Sequence, residues 1–175
     1  MSAERLLAKS LASTQGVAHH PAAWVAANAM GVSLFMRAKH QEAEELFAKA
    51  QIHCDYLTTE GLVNDAYSDV AGVLCDRAAN LIEGGFIEGG EDVGEDGNGR
   101  RMQAMKMLRR AKFMAERAYR PNTLLLDSLD LNLATALLGV DIEQAHDLVK
   151  SGVRMGHGAG SLSSHLLQVL SLGST

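Results

Sequence analysis

Residues 21–57 read PAAWVAANAMGVSLFMRAKHQEAEELFAKAQIHCDYL, and the spacing of small and apolar residues in this segment decides the fold class. Apolar residues in its first half recur at helical intervals and form one stripe: Trp24, Ala27, Met30 or Gly31, and Leu34. Proline is favoured at the first helical position, where its missing N–H group needs no partner. The segment therefore predicts a helix that begins at Pro21.

The second half of the segment predicts another helix. Its stripe consists of Ala43, Phe47, Ala50 and Cys54. Only the short polar break Lys-His-Gln separates the two patterns. Helices joined by so short a turn pack side by side in opposite directions, so we expect an antiparallel pair.

Composition favours helix along the rest of the chain. The 175 residues are 47% hydrophobic but only 5% aromatic, and two prolines leave long runs uninterrupted. The length suits one domain with its own core. Cys54 and Cys75 sit inside helical patterns without paired spacing and read as small buried residues, not as a disulfide or metal ligands. We therefore predict a single all-α domain over residues 1–175.

The helix pair recurs twice. In the second pair Gly72 takes the place of Gly31, and the partner helix repeats the small, large, small spacing with Ala104, Leu108 and Ala111. In the third pair the corresponding residues are Ala134, Ala145, Val149 and Gly152. Small residues let the two helices of a pair approach closely, and the large residue fills the gap to the next pair.

Local signals predict where the later helices begin. Thr58 or Thr59 can cap the first helix of the second pair, and Asp141 with Gln144 forms a capping box before the last helix of the third pair. Ser161 is a candidate N-cap for a final helix. About seven helices are expected in all.

Gly31, Ala43, Phe47 and Ala50, with separations of 12, 4 and 3, resemble the pattern of the tetratricopeptide repeat (TPR). Asp55 stands where that family often has proline. Helices of about 18 to 20 residues in the later pairs resemble the longer repeats of the kinesin-light-chain type. The resemblance implies a right-handed α-solenoid of antiparallel helix pairs, closed by a C-terminal capping helix.

The second repeat departs from the spacing of the first. Gly72 and Ala104 are 32 residues apart instead of 12, which implies an insertion of 20 residues where the family has a tight turn. The inserted stretch, EGGFIEGGEDVGEDGNGRR at 83–101, is rich in glycine and acid, and we predict that it is not helical. The predicted organisation is a helix or arm at 1–20, repeats at 20–57, 58–120 and 121–156, an insertion at 83–102 and a capping helix at 160–173.

Such arrays are, by resemblance, non-catalytic modules that bind a peptide or helix of another protein on the concave face made by the first helix of each pair. The chain is then expected to be a scaffold, an adaptor or a structural subunit of a larger complex. The family's groove offsets fall on Asn28, Val32, Phe35, Asp69, Val73, Asp76, Leu131, Thr135 and Leu138. Val32, Leu131 and Thr135 lack the polar and cationic groups of the clamp that binds chaperone tails, so we do not expect that ligand.

Sequence patterns for other chemistry are incomplete. A calcium loop aligned on Gly97 would place Asp92 and Asp96 correctly but has Gln103 where a bidentate Glu is required. The segment GHGAGS at 156–161 is glycine-rich but follows no strand and lacks the lysine of a phosphate loop. Its preferred interpretation is a helix end followed by a helix start, and a phosphate-binding enzyme is the distant alternative. The seven histidines form no metal-binding or nucleophile motif, and we predict no cofactor, metal or catalytic residue.

Charge is unevenly distributed. The net charge is −5, which disfavours nucleic acid as the main partner, yet residues 100–120 hold half of the sixteen lysines and arginines. We predict a basic patch comprising Lys106, Arg109, Arg110 and Arg117. Its interpretation is either a solvated helix face or a contact with an acidic protein surface or anionic headgroups.

The sequence leaves two alternatives for the cellular compartment of the protein. No apolar run is long enough to span a membrane, and a cytoplasmic protein is expected. Residues 1–20 contain Arg5, Lys9 and several serines against one acid, which faintly resembles an organelle presequence. An accessory subunit of a mitochondrial membrane complex is therefore the alternative.

Overall fold

A computed structural model describes residues 21–59, 67–88, 95–118, 120, 122–138 and 140–154, together with the isolated positions 5, 6, 9 and 12. In those ranges the chain forms six α-helices and no strand, which confirms the all-α prediction. The helices are α1 (Pro21–Phe35), α2 (His40–Thr59), α3 (Tyr67–Glu88), α4 (Glu95–Glu116), α5 (Thr123–Leu137) and α6 (Ile142–Arg154). The predicted capping helix at 160–173 and nearly all of the arm at 1–20 lie outside the described residues.

Each helix packs against the next one along the chain. In addition, α3 contacts both α1 and α5, so that it touches four of the other helices. Its buried residues join those of the neighbouring helices in one continuous apolar core. The third helix is therefore the element around which the described helices are arranged.

The turn between α1 and α2 holds these helices close together. Lys39 N–H donates to the Leu34 carbonyl at 3.0 Å, and Ala38 N–H donates to the Phe35 carbonyl at 2.9 Å. These two bonds form the Schellman arrangement that ends many helices, and Ala38 occupies its left-handed position with φ of 56°. The chain thus reverses within four residues, and α2 begins at His40.

Glycine at position 31 is required by packing. A Cβ atom there would lie 2.7 Å from Cε1 of Phe47, which is fully buried. The residue therefore allows α1 to approach the Phe47 ring on α2. The equivalent glycine of the second pair is different, because a Cβ on Gly72 would meet no atom within 4 Å. The two positions look alike in the sequence, but only Gly31 lies at a close helix contact.

The prediction that residues 83–101 are not helical is wrong for both ends of this stretch. Helix α3 continues to Glu88, and α4 begins at Glu95, so each of these helices is 22 residues long. Extending an existing helix avoids the cost of nucleation, which offsets a glycine penalty of about 1 kcal/mol per residue. Gly84 also suits its place, because a Cβ there would be 3.0 Å from Cβ of His40.

Two other predictions about helix ends need correction. Thr58 and Thr59 do not cap α3; their hydroxyls donate back to the carbonyls of Cys54 and Asp55 at 2.8 Å, within the last turns of α2. Threonine commonly makes this bond to the residue four positions earlier. The fifth helix has 15 residues, fewer than the 18 to 20 expected for the third pair.

The predicted cap of α6 is present, as is one that the sequence analysis missed. Asp141 Oδ1 accepts a hydrogen bond from Gln144 N–H at 2.9 Å. Asn122 Oδ1 accepts one from Leu125 N–H at 3.3 Å and begins α5. Both residues satisfy amide groups that have no partner within the helix.

Alanine substitution of the two repeat glycines should have opposite effects. We expect Gly31→Ala to lower the free energy of unfolding by about 1 kcal/mol or more, because crowding of a packed core outweighs the gain in helix propensity. Gly72→Ala should raise it by about 0.5–1 kcal/mol, because its Cβ meets nothing. Urea unfolding of both variants measures the difference. Equal stability of the two would contradict the assignment of Gly31 to a close contact.

Candidate binding site

A cavity of about 480 Å³ lies between α1, α3 and the start of α5. Its polar lining consists of Asn28 from α1, Asp69 and Asp76 from α3, and Asn122 before α5. Its apolar lining includes Trp24, Val25, Val73 and Leu125. The cavity is thus bordered by the first helix of each predicted pair.

The structure brings four of the nine predicted groove residues into this lining: Asn28, Asp69, Val73 and Asp76. Val32 and Phe35 are half-buried farther along α1, where the Phe35 ring packs edge-on against His40 with the ring centroids 5.8 Å apart. On α5, Leu131 and Leu138 pack against the core.

The remaining groove residue, Thr135, donates from its hydroxyl to the Leu131 carbonyl at 2.9 Å. The cavity therefore occupies one end of the face that the groove offsets mark.

Residues that the sequence analysis did not assign to the groove complete the cavity. Trp24 precedes Asn28 by one helical turn, so helical spacing alone could have placed it on the same face. Gly72 lines the cavity, and its missing side chain leaves space there. Leu125 and Asn122 were not detectable, because their position depends on how α5 packs against α3.

Asp76 is held by bonds that its neighbours make to other helices. Arg77 donates from Nε to Glu44 at 2.8 Å and from Nη1 to Gln51 at 2.6 Å, which ties α3 to α2. On the other side, Cys75 Sγ accepts from Asn132 Nδ2 of α5 at 3.3 Å. Consecutive residues of a helix point about 100° apart, so the Asp76 side chain lies between those of Cys75 and Arg77. It points toward α1.

One hydrogen bond connects Asp76 to α1. Asn28 Nδ2 donates to Asp76 Oδ2 at 2.9 Å. Burial of the carboxyl raises its pKa above the ordinary value of 3.8, and the bond from Asn28 opposes that shift only in part. Within the described residues, Asn28 Oδ1 is buried and accepts no hydrogen bond. The cavity is therefore lined by a partly desolvated carboxylate, and the amide that bonds to it has a buried oxygen without a described donor.

A second polar contact lies outside the cavity, at the start of α2. His40 Nδ1 is 3.1 Å from Asn80 Oδ1, and Asn80 Nδ2 donates to the His40 carbonyl at 3.1 Å. Both residues are buried. Buried amide and imidazole groups need such partners, because an unsatisfied polar atom costs about 1–3 kcal/mol. This contact fixes α2 against the later part of α3.

Both cysteines are unsuited to nucleophilic chemistry. Burial raises the pKa of the Cys54 thiol to about 12, and burial likewise raises the pKa of Cys75 to about 12. Neither residue forms a disulfide. The thiolate is the reactive form of cysteine, and it is scarce at neutral pH when the pKa is so high. The two residues are therefore core packing groups, as their sequence context indicates.

The four residues of the predicted basic patch do not have the same surroundings in the structure. Arg110 forms an ion pair with Asp55 of α2 at 2.6 Å. The guanidinium of Arg117 stacks on the Phe113 ring at 3.5 Å. Lys106 and Arg109 are exposed and have no ion-pair partner within the described part of the chain.

Helical spacing places two exposed apolar residues, Met102 and Phe113, on the same face as Lys106 and Arg109. The patch is therefore narrower and more apolar than the four predicted residues suggested. We call Met102, Lys106, Arg109 and Phe113 the α4 stripe.

Several predicted features cannot be placed. The segment 156–161, Asp92 and the side chain of Asp96 lie outside the described residues. In the part of the chain that the structure describes, no three His, Cys, Asp or Glu side chains cluster as metal ligands would. None of the described helices combines the length and the hydropathy that a membrane-spanning segment requires. Compared with protein-family models, with curated proteins and with solved structures, the chain gave no match.

Replacing the carboxyl of Asp76 should stabilise the fold. A folded-state pKa above the ordinary value means that the folded chain favours the neutral carboxyl, so this group's contribution to stability falls as the pH rises from below 3.8 through the raised pKa. We expect Asp76→Asn to raise the thermal midpoint at pH 7, and the gain to shrink as the pH is lowered toward 4. The control is Asp147→Asn, which removes the same charge at an exposed position on α6. A lower midpoint for Asp76→Asn at pH 7 would contradict the burial argument.

Proposed function

We propose that this chain is a non-catalytic protein–protein interaction module, a TPR-like solenoid of antiparallel helix pairs that binds a segment of another protein on the face bordered by α1, α3 and α5. The observation that carries the proposal is the cavity on that face, because four of the residues at the family's groove positions line it. Clefts of about 300–1,000 Å³ are typical of binding sites.

Contacts between the helices support the solenoid. His40, at the start of α2, bonds to Asn80 in the later part of α3, and Gln51, farther along α2, bonds to Arg77, which is earlier in α3. This order is the one expected of helices that run in opposite directions. Direct contacts of α3 with α1 and with α5 also bring the first helices of the pairs together, as they are in such arrays.

Blocking the cavity should abolish capture of the partner. We expect Gly72→Leu to fill the cavity without disturbing the helix, because a side chain at this position begins in open space and leucine favours helix. The full chain and the variant serve as baits in cell extracts, and captured proteins are quantified by mass spectrometry. Proteins that depend on the site should be depleted about tenfold or more, as for loss of a main anchor.

The matched control is Gly99→Leu, an identical change at an exposed helical position where a Cβ also meets nothing. It should leave capture unchanged. Circular dichroism of both variants establishes that each is folded. If every captured protein binds Gly72→Leu as well as it binds the wild type, the cavity face is not the binding surface.

We propose the α4 stripe as a second contact, with an acidic surface of a protein in the same assembly. Met102 and Phe113 are each more than half exposed, and between them lie the cations Lys106 and Arg109, which have no ion-pair partner among the described residues. Exposed apolar residues next to charged ones are typical of partner surfaces. The stripe spans about 16 Å along the helix, at 1.5 Å per residue. A chain with two such surfaces fits a subunit of a larger complex.

Charge reversal on the α4 stripe should weaken that contact. We expect Lys106→Glu with Arg109→Glu to reduce co-purification of the assembly at low salt, and the difference from wild type to decrease as salt screens the charges. Arg110→Gln is the control, because Arg110 is already occupied by Asp55. Equal losses for the double variant and for Arg110→Gln would show that the stripe has no specific role.

A further inference from the structure

The described lining of the cavity is negatively charged. Among the residues that the structure describes, it contains two carboxylates, Asp69 and Asp76, and no lysine, arginine or histidine. Asp69 is exposed in the first turn of α3, whereas Asp76 is half-buried two turns farther along. A ligand that reaches into the cavity therefore meets negative charge near the surface and again deeper inside.

One acceptor group in the cavity is incompletely used. Within the described residues, the Asp76 carboxylate accepts one side-chain hydrogen bond, from Asn28, although a carboxylate has about four acceptor positions. The oxygen of the same Asn28 amide is closed off from solvent and has no donor among the described residues, so it is not open to a ligand. Buried acceptors in native proteins nearly always have a donor. A carboxylate with free acceptor positions matches a ligand that brings several N–H groups.

The shape of the cavity admits a side chain of another molecule. Gly72 lies between Asp69 and Asp76 in sequence, and a Cβ on it would meet no atom within 4 Å. The absence of a side chain at this position therefore keeps the space open. Trp24 adds an aromatic surface to the lining. A planar cation that lies against an aromatic ring gains about 0.5–2 kcal/mol, according to how far it is desolvated.

We propose that this cavity receives an arginine side chain of the partner protein, which extends the proposed function by giving the chemistry of the partner's anchor. A guanidinium carries five N–H donors in a rigid plane, so it can form two parallel hydrogen bonds to the Asp76 carboxylate while its face lies on Trp24. Lysine has neither the plane nor the two-pronged geometry. The inference rests on the proposed function, but its charge selectivity is tested separately.

The single tryptophan of the chain makes the test direct. Trp24 is the only tryptophan among the 175 residues, so the fluorescence of the full protein reports on this cavity. The probe is a short capped peptide with one central arginine, titrated to about 10 mM, which covers the weak affinity expected of one anchor. The same peptide with citrulline is its neutral isostere. Lysine peptide and spermidine are titrated in parallel.

We expect the arginine peptide to produce a saturable change in Trp24 emission and the citrulline peptide to bind about tenfold more weakly or not at all. Asp76→Asn should weaken arginine binding by a similar factor through loss of charge, and Gly72→Leu should do so by occupying the space. Asp147→Asn and Gly99→Leu, which match these changes away from the cavity, should bind as the wild type does.

Four results would overturn the proposal. They are the absence of saturable binding, equal binding of the arginine and citrulline peptides, equal binding of wild type and Asp76→Asn, and stronger binding of lysine peptide or spermidine than of arginine peptide. If Gly72→Leu still abolishes capture of proteins from extracts in any of these cases, the interaction module stands and only the arginine anchor fails.

Discussion

The packing of α3 against four other helices is the constraint on which the rest of the structure depends. Three consecutive residues of this helix make side-chain bonds to three different helices: Cys75 to α5, Asp76 to α1 and Arg77 to α2. Leu74 beside them is almost fully buried. A helix bonded in three directions cannot rotate about its axis without breaking these bonds together. The orientation of α3 is therefore fixed, and with it the direction of the Asp76 carboxyl.

The cavity is a place where the chain does not maximise its stability. Three features of the described residues are each unfavourable for folding: a half-buried carboxylate with one side-chain hydrogen bond, a buried amide oxygen without a donor, and a glycine inside a helix. Natural chains usually retain such features where function needs them, because stabilising replacements are easy to find. All three unfavourable features line one cavity, and this coincidence is the reason for regarding it as a site.

The sequence predicted the helices well where local physics decides. Pro21 marks the start of α1, Asp141 caps α6, and the stripe through Phe47 defines α2, because each of these signals acts within a few residues. The glycine-rich stretch was misjudged for the opposite reason. Helix propensity describes an isolated turn, whereas residues 83–88 and 95–101 extend helices that packing already stabilises. Local composition therefore underestimated the lengths of α3 and α4.

The candidate site was only partly accessible from sequence, since its geometry depends on contacts between distant residues. Repeat offsets placed Asn28 and Asp76 on the same face, but they could not reveal that these residues bond across 48 positions. Nor could the spacing show that Arg110 of the predicted basic patch is engaged by Asp55, which lies 55 positions earlier. Gly31 and Gly72 are equivalent in the pattern, yet one is a packing contact and the other an opening.

The side-chain bonds from residues 75–77 to three different helices also determine where the chain can change in length. One residue inserted or deleted in α3 before Cys75 would turn residues 75–77 by about 100° relative to the start of the helix and direct all three side chains toward the wrong neighbours. Changes beyond Gly84, where α3 passes the beginning of α2, leave the register of residues 75–77 unaltered. The glycine-rich segment therefore lies on the side of these bonds where a change in length does not turn the earlier part of the central helix.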